Sequence, residues 1–230
     1  MQLLNEEVRD FTRKKFETEL VNPVNLVYFM KEKSPLIVPG REPEEDCLYC
    51  PETKQLLEEL SSLSDKIRLT VYDIEKEQTK ASEFQVDKVP AIIVMDNQDY
   101  GIRFYGIPSG YEFMSLLEAI VDVSRGETEL SQKTKEALKK LDKEVHIQIF
   151  VTPTCPYCPM AVRLGHQMAL ESPMIKAAMI EATEFPQLAQ QYEVFGVPKT
   201  IFNESVSLEG AVPEEMFLEH VLKAAGKEVN

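Results

Sequence analysis

The 230-residue chain has no cysteine outside two four-residue motifs, so none is left over to act as a buried filler or a structural cross-link. It lacks a basic surplus as well: 25 Lys and Arg stand against 39 Asp and Glu, a formal net charge of −14. Binding a phosphate backbone or an anionic membrane surface needs clustered cations, so neither nucleic acid nor membrane is an expected partner. No apolar run reaches the length of a membrane span. The first twenty residues, MQLLNEEVRDFTRKKFETEL, carry charges throughout and lack the apolar core of a secretory leader, so a cytoplasmic protein is expected. A glycine-rich dinucleotide fingerprint is also missing; no cofactor is expected in this chain, and any flavin or nicotinamide would belong to a partner.

What is present is concentrated in two frames, Cys47-Leu-Tyr-Cys50 and Cys155-Pro-Tyr-Cys158. Structural disulfides are rare in a reducing cytosol, where paired cysteines at this spacing serve redox catalysis or bind metal. The frames belong to an internal repeat. Pro90 of Val89-Pro90 follows Cys47 by 43 positions, and Pro198 of Val197-Pro198 follows Cys155 by the same 43. An acidic residue falls 26 positions after each first cysteine, Asp73 and Glu181. Each second cysteine has tyrosine before it (Tyr49, Tyr157) and proline after it (Pro51, Pro159).

The surrounding patterns repeat too. Val24–Met30 and Val145–Val151 are short, β-branched and aromatic, and read as buried strands. Apolar residues at helical spacing follow the cysteines over Glu52–Leu63 and Met160–Ser172. Ile67–Asp73 and the shorter Met179–Glu181 read as second strands, followed by helices at Lys80–Gln85 and Phe185–Tyr192. Beyond each Val-Pro come strands Ala91–Met95 and Thr200–Phe202, with partners Gly101–Tyr105 and Val206–Leu208, and closing helices Gly110–Ser124 and Pro213–Ala225. Leading helices are expected at Glu6–Leu20 and Ser131–Lys143. Each unit is therefore expected to be α/β, with a helical crossover between two parallel strands and an antiparallel final pair in a mixed sheet. At 230 residues the chain accommodates two such units, with a boundary near Gly126: residues 1–125 and 126–230. The copies differ at one place, where sixteen residues, 31–46, separate the first strand from Cys47; a longer loop is expected beside that site.

Two cysteines separated by two residues at the start of a helix can close into a disulfide and act as nucleophile and resolver. Free N–H groups and the positive dipole end favour a thiolate, the form that attacks a disulfide. Cys155 would attack and Cys158 resolve, with Cys47 and Cys50 doing the same in the first unit. Pro51 and Pro159 fit the first helical turn, where a missing N–H costs little. Pro90 and Pro198, each after a valine at the mouth of a strand, are places where a cis peptide could turn the chain. Glu44, Glu45 and Asp46 crowd Cys47 with negative charge, whereas Thr152, Pro153 and Thr154 add none before Cys155, so Cys155 is expected to be the faster nucleophile. Glu181 and Asp73 are candidate proton carriers, though carboxylates in water at strand ends are the commoner arrangement. Lys199 either favours a nearby thiolate or points to solvent. Tyr49 and Tyr157 read as partly exposed surface beside the sites, and His146, His166 and His220 share no spacing and read as ordinary packing or surface.

Cys-Pro-Tyr-Cys, then Val-Pro at the third strand, then a glycine before the final helix (Gly210, with Gly106 in the first unit) resembles the glutaredoxin and thioredoxin superfamily. The tandem arrangement resembles the protein disulfide oxidoreductases of thermophilic archaea and bacteria over nearly the whole chain. That resemblance implies cis peptides at Pro90 and Pro198, packed against the cysteine pairs, with backbone groups left to pair with an extended substrate. It also implies one continuous sheet shared by two units with separate sites, disulfide-containing or dithiol protein substrates, and an external reductase. The absence of tryptophan removes the Trp-Gly-Pro signature of thioredoxin itself. Three rival readings remain: a zinc module with four cysteine ligands, although zinc ribbons keep their pairs about 15–20 residues apart; a thiol-dependent client-binding protein without turnover; and a relay domain of a peroxide-reducing flavoenzyme.

Overall fold

The computed structural model describes residues 3–32 and 47–227. The acidic run Glu44, Glu45 and Asp46, and most of the long segment expected beside the first site, lie outside the described residues. The first half consists of α1 (Glu6–Glu19), β1 (Val24–Met30), α2 (Cys50–Ser61), β2 (Ile67–Asp73), α3 (Gln78–Glu83), β3 (Ala91–Met95), β4 (Ile102–Tyr105) and α4 (Glu112–Arg125). The second half repeats the order as α5 (Gln132–Leu138), β5 (Val145–Val151), α6 (Cys158–Glu171), β6 (Ile175–Glu181), α7 (Pro186–Gln191), β7 (Lys199–Phe202), β8 (Val206–Glu209) and α8 (Glu214–Ala224).

Two expectations of length need correction. The strand expected over Met179–Glu181 begins at Ile175, because Ile175 and Ala177 are buried beside β5 and continue the parallel register. The helix expected to run to Lys143 ends at Leu138; beyond it the N–H groups of Lys140 and Leu141 bond the carbonyls three residues back, Ala137 and Leu138, and this tighter turn carries Leu141 into the core.

The eight strands among the described residues form one sheet in the order β2-β1-β3-β4-β6-β5-β7-β8, the continuous sheet that the resemblance implies. Within each half the crossover pair is parallel and the last two strands are antiparallel. The halves join where β4 pairs in parallel with β6, from Ile102 opposite Ala177 to Tyr105 opposite Ile180. Side chains alternate across the sheet. Leu26 and Tyr28 of β1 enter the larger core with α2, α4 and α6, while Val27 and Phe29 enter a smaller core covered by α3 and α7.

His166 of α6 lies in the larger core at this junction. It is 3% exposed, its ring centroid is 4.7 Å from that of Phe104, and its Nε2 donates to the Arg103 carbonyl at 3.1 Å. Burial lowers its pKa to about 4, against a smaller upward pull from that hydrogen bond. Between the ordinary histidine range and this value, the unfolded chain binds a proton that the native state refuses, so this contribution to stability is lost as pH falls. At 1.36 kcal/mol per pKa unit the full effect is about 3 kcal/mol. The buried Asp122 carboxyl, raised to about 6, acts in the opposite sense, so the informative quantity is a difference. Denaturant unfolding at pH 4.5 and 7 should show His166→Gln losing less stability on acidification than the parent by roughly 2–3 kcal/mol. Equal losses in both proteins would refute the assignment.

Candidate redox sites

Both cysteine pairs sit at the start of a helix, and both are closed as disulfides, with Cα–Cα separations of 5.3 Å for Cys47–Cys50 and 5.6 Å for Cys155–Cys158. α2 begins at Cys50 after Tyr49, and α6 at Cys158 after Tyr157, with Pro51 and Pro159 in the first turns. The first cysteine of each pair thus lies just ahead of the free N–H groups, and the second opens the helix. Burial separates their roles. Cys50 and Cys158 are 0% exposed, whereas Cys47 and Cys155 retain 9% and 8%, so a substrate sulfur can reach only the outer partner of each pair. Tyr49 and Tyr157 are exposed beside them, as expected.

Val89-Pro90 and Val197-Pro198 are both cis. The Val197 carbonyl is 3.7 Å from Cys155 Sγ, and Val89 and Pro90 line the same cleft as Cys47, so the fold joins the groups that recur 43 positions apart in sequence. Glycine N–H groups bind the proline carbonyls, Gly106 to Pro90 at 3.0 Å and Gly210 to Pro198 at 2.8 Å. Around the inner sulfur of the first site, the Lys31 N–H donates to Cys50 Sγ at 3.4 Å, and the Tyr28 hydroxyl donates to the Cys50 carbonyl at 2.8 Å.

The charges named from sequence have local work. Asp73 accepts N–H groups from Glu75, Lys76 and Glu32; these bonds and Lys76 hold its carboxyl below the usual range although partial burial opposes them. Glu181 is buried at 2% exposure rather than in water, and it accepts from the Thr183 hydroxyl and from the N–H groups of Thr183 and Glu184. Lys199 does not reach solvent either: its ammonium donates to the Glu193 carbonyl at 3.0 Å and lies 3.5 Å from Glu209.

Two acids not singled out from sequence are placed more suggestively. Glu112, at the start of α4, is 1% exposed, and neither carboxylate oxygen has a hydrogen-bond partner. Burial pushes its pKa up to about 7, with nearby Ser115 opposing. The preceding residue, Tyr111, donates its N–H to the Pro153 carbonyl at 3.0 Å, which ties the start of α4 to the loop leading to Cys155. Glu184 lies between β6 and α7 of the second half and lines the Cys47 cleft. Neither acid sits near its cysteines in sequence, and no spacing marks them.

A tandem arrangement of thioredoxin-like units, each with a CxxC turn facing a Val-Pro strand, defines the class of thiol–disulfide redox proteins. A thioredoxin domain family matches residues 145–223. A protein disulfide oxidoreductase from Aeropyrum pernix K1 is 33% identical and superposes with a TM-score of 0.86, covering 98% of this chain and 96% of that one. The chain belongs to this family of tandem thioredoxin-fold disulfide oxidoreductases. The alkylhydroperoxide reductase protein AhpF of Enterococcus faecalis is 26% identical with a TM-score of 0.84, over 96% of this chain and 100% of that one. Among curated sequences, an NADH dehydrogenase of Bacillus subtilis is 30% identical over 74% of this chain and 31% of its own length. The corresponding alkyl hydroperoxide reductase protein of Staphylococcus aureus is 30% identical over 66% of this chain and 27% of its own. The chain spans about a third of the length of these curated relatives. No helix among the described residues is long and apolar enough to cross a membrane.

Proposed function

We propose that the chain exchanges disulfides with protein substrates through two sites, Cys155–Cys158 and Cys47–Cys50. The observation that carries this reading is the pairing, at each site, of a slightly exposed outer cysteine and a sealed inner one beside a cis Val-Pro. The outer thiolate attacks a substrate disulfide, a mixed disulfide forms, and the inner cysteine resolves it. The residues just before the strands β3 and β7, Val89-Pro90 and Val197-Pro198, offer backbone to an extended substrate. Asp73 and Glu181 then act chiefly as anchors of the turns after β2 and β6. Glu112 is the better placed proton acceptor for Cys158, being buried, unpartnered and set against the loop before Cys155. An external dithiol reductase restores both pairs.

Insulin reduction with dithiothreitol as the terminal reductant tests the reading. The native chain should turn over many equivalents, and Cys47→Ser/Cys50→Ser/Cys155→Ser/Cys158→Ser none. In the chain keeping only the second pair, Glu112→Gln should cut turnover at pH 7 by on the order of 100-fold, the lower end of what a positioned proton acceptor supplies. Binding of insulin without turnover by the native chain would sink the enzymatic reading in favour of a client-binding one.

A second reading has its own support in the identity to the alkyl hydroperoxide reductase of Staphylococcus aureus: the chain passes electrons from a flavin-containing partner to a peroxide-reducing one. Reduction of Cys155–Cys158 by a purified NADH-dependent flavoenzyme of this type, at a rate matching peroxide turnover in the coupled system, would favour it.

A further inference from the structure

The two sites differ in what lies beyond their prolines, and the sheet order explains why. β3, which follows Pro90, is bordered by β4 and then by β6 of the other unit; β7, which follows Pro198, is bordered by β8, the sheet edge. The glycines bound to the two prolines record the difference. A Cβ at Gly210 would meet nothing within 4 Å, whereas one at Gly106 would lie 2.8 Å from Glu184 Oε1 and 2.6 Å from Glu181 Cβ. Glu184 Oε1 accepts the Ile107 N–H at 2.6 Å, bridging the units beside Pro90. The resulting cleft of about 680 Å³ has Cys47, Tyr49 and Pro90 on one wall and Glu184, Phe185 and Leu188 of the second unit on the other.

We propose that Glu184 of the second unit is the proton acceptor of the first site, so that the Cys47–Cys50 pair is complete only when the two units are joined. This deepens the exchange function proposed above and rests on it. Glu52 from α2 and Glu181 from its own turn act electrostatically on Glu184, and Glu184 in turn acts on Tyr28, the residue bonded to the Cys50 carbonyl. Across the cleft, Lys88 is held by an ion pair to Asp87 and lies over the Tyr105 ring, 4.3 Å from its centroid. Burial pushes the Glu184 carboxyl up to about 7, against the Ile107 hydrogen bond, and the carboxylates of Glu181 and Glu52 add to the rise. A base in that range accepts a thiol proton near neutrality and can return it.

The Cys47 thiolate attacks one sulfur of a substrate disulfide; that S–S bond breaks, a mixed disulfide forms, and the other substrate sulfur leaves as a thiolate. Cys50 then passes its proton to Glu184, its sulfur bonds to Cys47 Sγ, and the bond from Cys47 to the substrate breaks. The departing thiolate takes the proton from Glu184. The substrate has gained two electrons, the pair has lost two, and an external dithiol restores them.

The test uses full-length protein carrying Cys155→Ser/Cys158→Ser, so that only the first pair reacts. Iodoacetamide alkylation of the reduced pair, followed by mass spectrometry across pH, should show an inflection near neutrality. Glu184→Gln should remove it and Glu184→Asp should keep it. Turnover of a disulfide-bearing peptide at pH 7 should fall on the order of 100-fold in Glu184→Gln, with partial rescue by Asp. In protein carrying Cys47→Ser/Cys50→Ser instead, Glu184→Gln should leave second-site turnover unchanged. Superimposable alkylation profiles for parent and Glu184→Gln overturn the proposal, as does an equal fall at both sites, which would mark a merely structural role. A parent that shows the inflection but turns over no disulfide counts against the exchange function and not against the coupling of Glu184 to the thiols.

Discussion

Cys155→Ser is expected to remove most insulin reductase turnover, leaving the share carried by the intact Cys47–Cys50 pair, whereas Cys47→Ser should keep most of it; in protein already carrying Cys47→Ser/Cys50→Ser, adding Cys155→Ser should cost at least on the order of 1,000-fold, as loss of an attacking nucleophile does. The asymmetry follows from helix ends and access. α2 carries Glu52 in its first turn and α6 carries no acid there, so only the first site has a carboxylate competing with the thiolate for the same helix dipole. Glu184 adds a second carboxylate in the Cys47 cleft. The first site is also walled by α7, while Gly210 and the β8 edge leave the second open to a folded substrate. Single-variant turnover measured at fixed dithiothreitol decides it. Full activity in Cys155→Ser together with none in Cys47→Ser would reverse the ranking and show that the inter-unit cleft is the working site.

Replacing Gly110 by alanine should be the most damaging glycine-to-alanine change among the described residues. Gly110 has φ +60°, and an added Cβ would fall 2.2 Å from the carbonyl oxygen of Pro153, a backbone atom in the loop before Cys155. A side chain in the left-handed region costs about 1–2 kcal/mol, and forcing apart packed atoms costs about 1–3 kcal/mol more. The expected loss is therefore about 2–5 kcal/mol, combining the two. Gly126, with φ +70° and nothing within 4 Å of an added Cβ, is the internal control: Gly126→Ala meets only the backbone cost, about 1–2 kcal/mol. Equilibrium urea unfolding of the two variants separates the contributions. Equal losses would mean that the Pro153 loop yields freely and that the close approach of the units there has no energetic weight. If the approach matters, Gly110→Ala should also impair second-site turnover more than first-site turnover, because the displaced loop carries Cys155.

Much of the fold is legible in the chain because its signals are local. β1 and β5 are seven-residue β-branched and aromatic runs, and both are observed with the expected bounds. The cysteines sit at helix starts because proline in the first turn and strand residues upstream leave few other readings. β6 outruns its sequence signal because Ile175-Lys-Ala-Ala178 offers no strong strand pattern; pairing with β5 and β4 extends it. The side-chain roles are less legible. Glu181 is buried where water was the commoner expectation, and Lys199 is pinned to the Glu193 carbonyl, because burial at a strand end depends on how the adjoining connections fold back on it.

The duplication, the CxxC turns and their matched interval to Val-Pro are thus written in the order of residues alone. Dithiol chemistry and the strand-turn-helix that presents it depend on residues within one repeat, and a duplicated interval records them in the chain. Which acid of one unit comes to lie against the other unit is decided in three dimensions. Once β4 pairs with β6, Glu184 comes to Ile107 across 77 positions, and Tyr111 brings Glu112 beside the loop of the other unit. Such contacts are made by the packing of one repeat against the next, which has no period, so no spacing in the sequence encodes them.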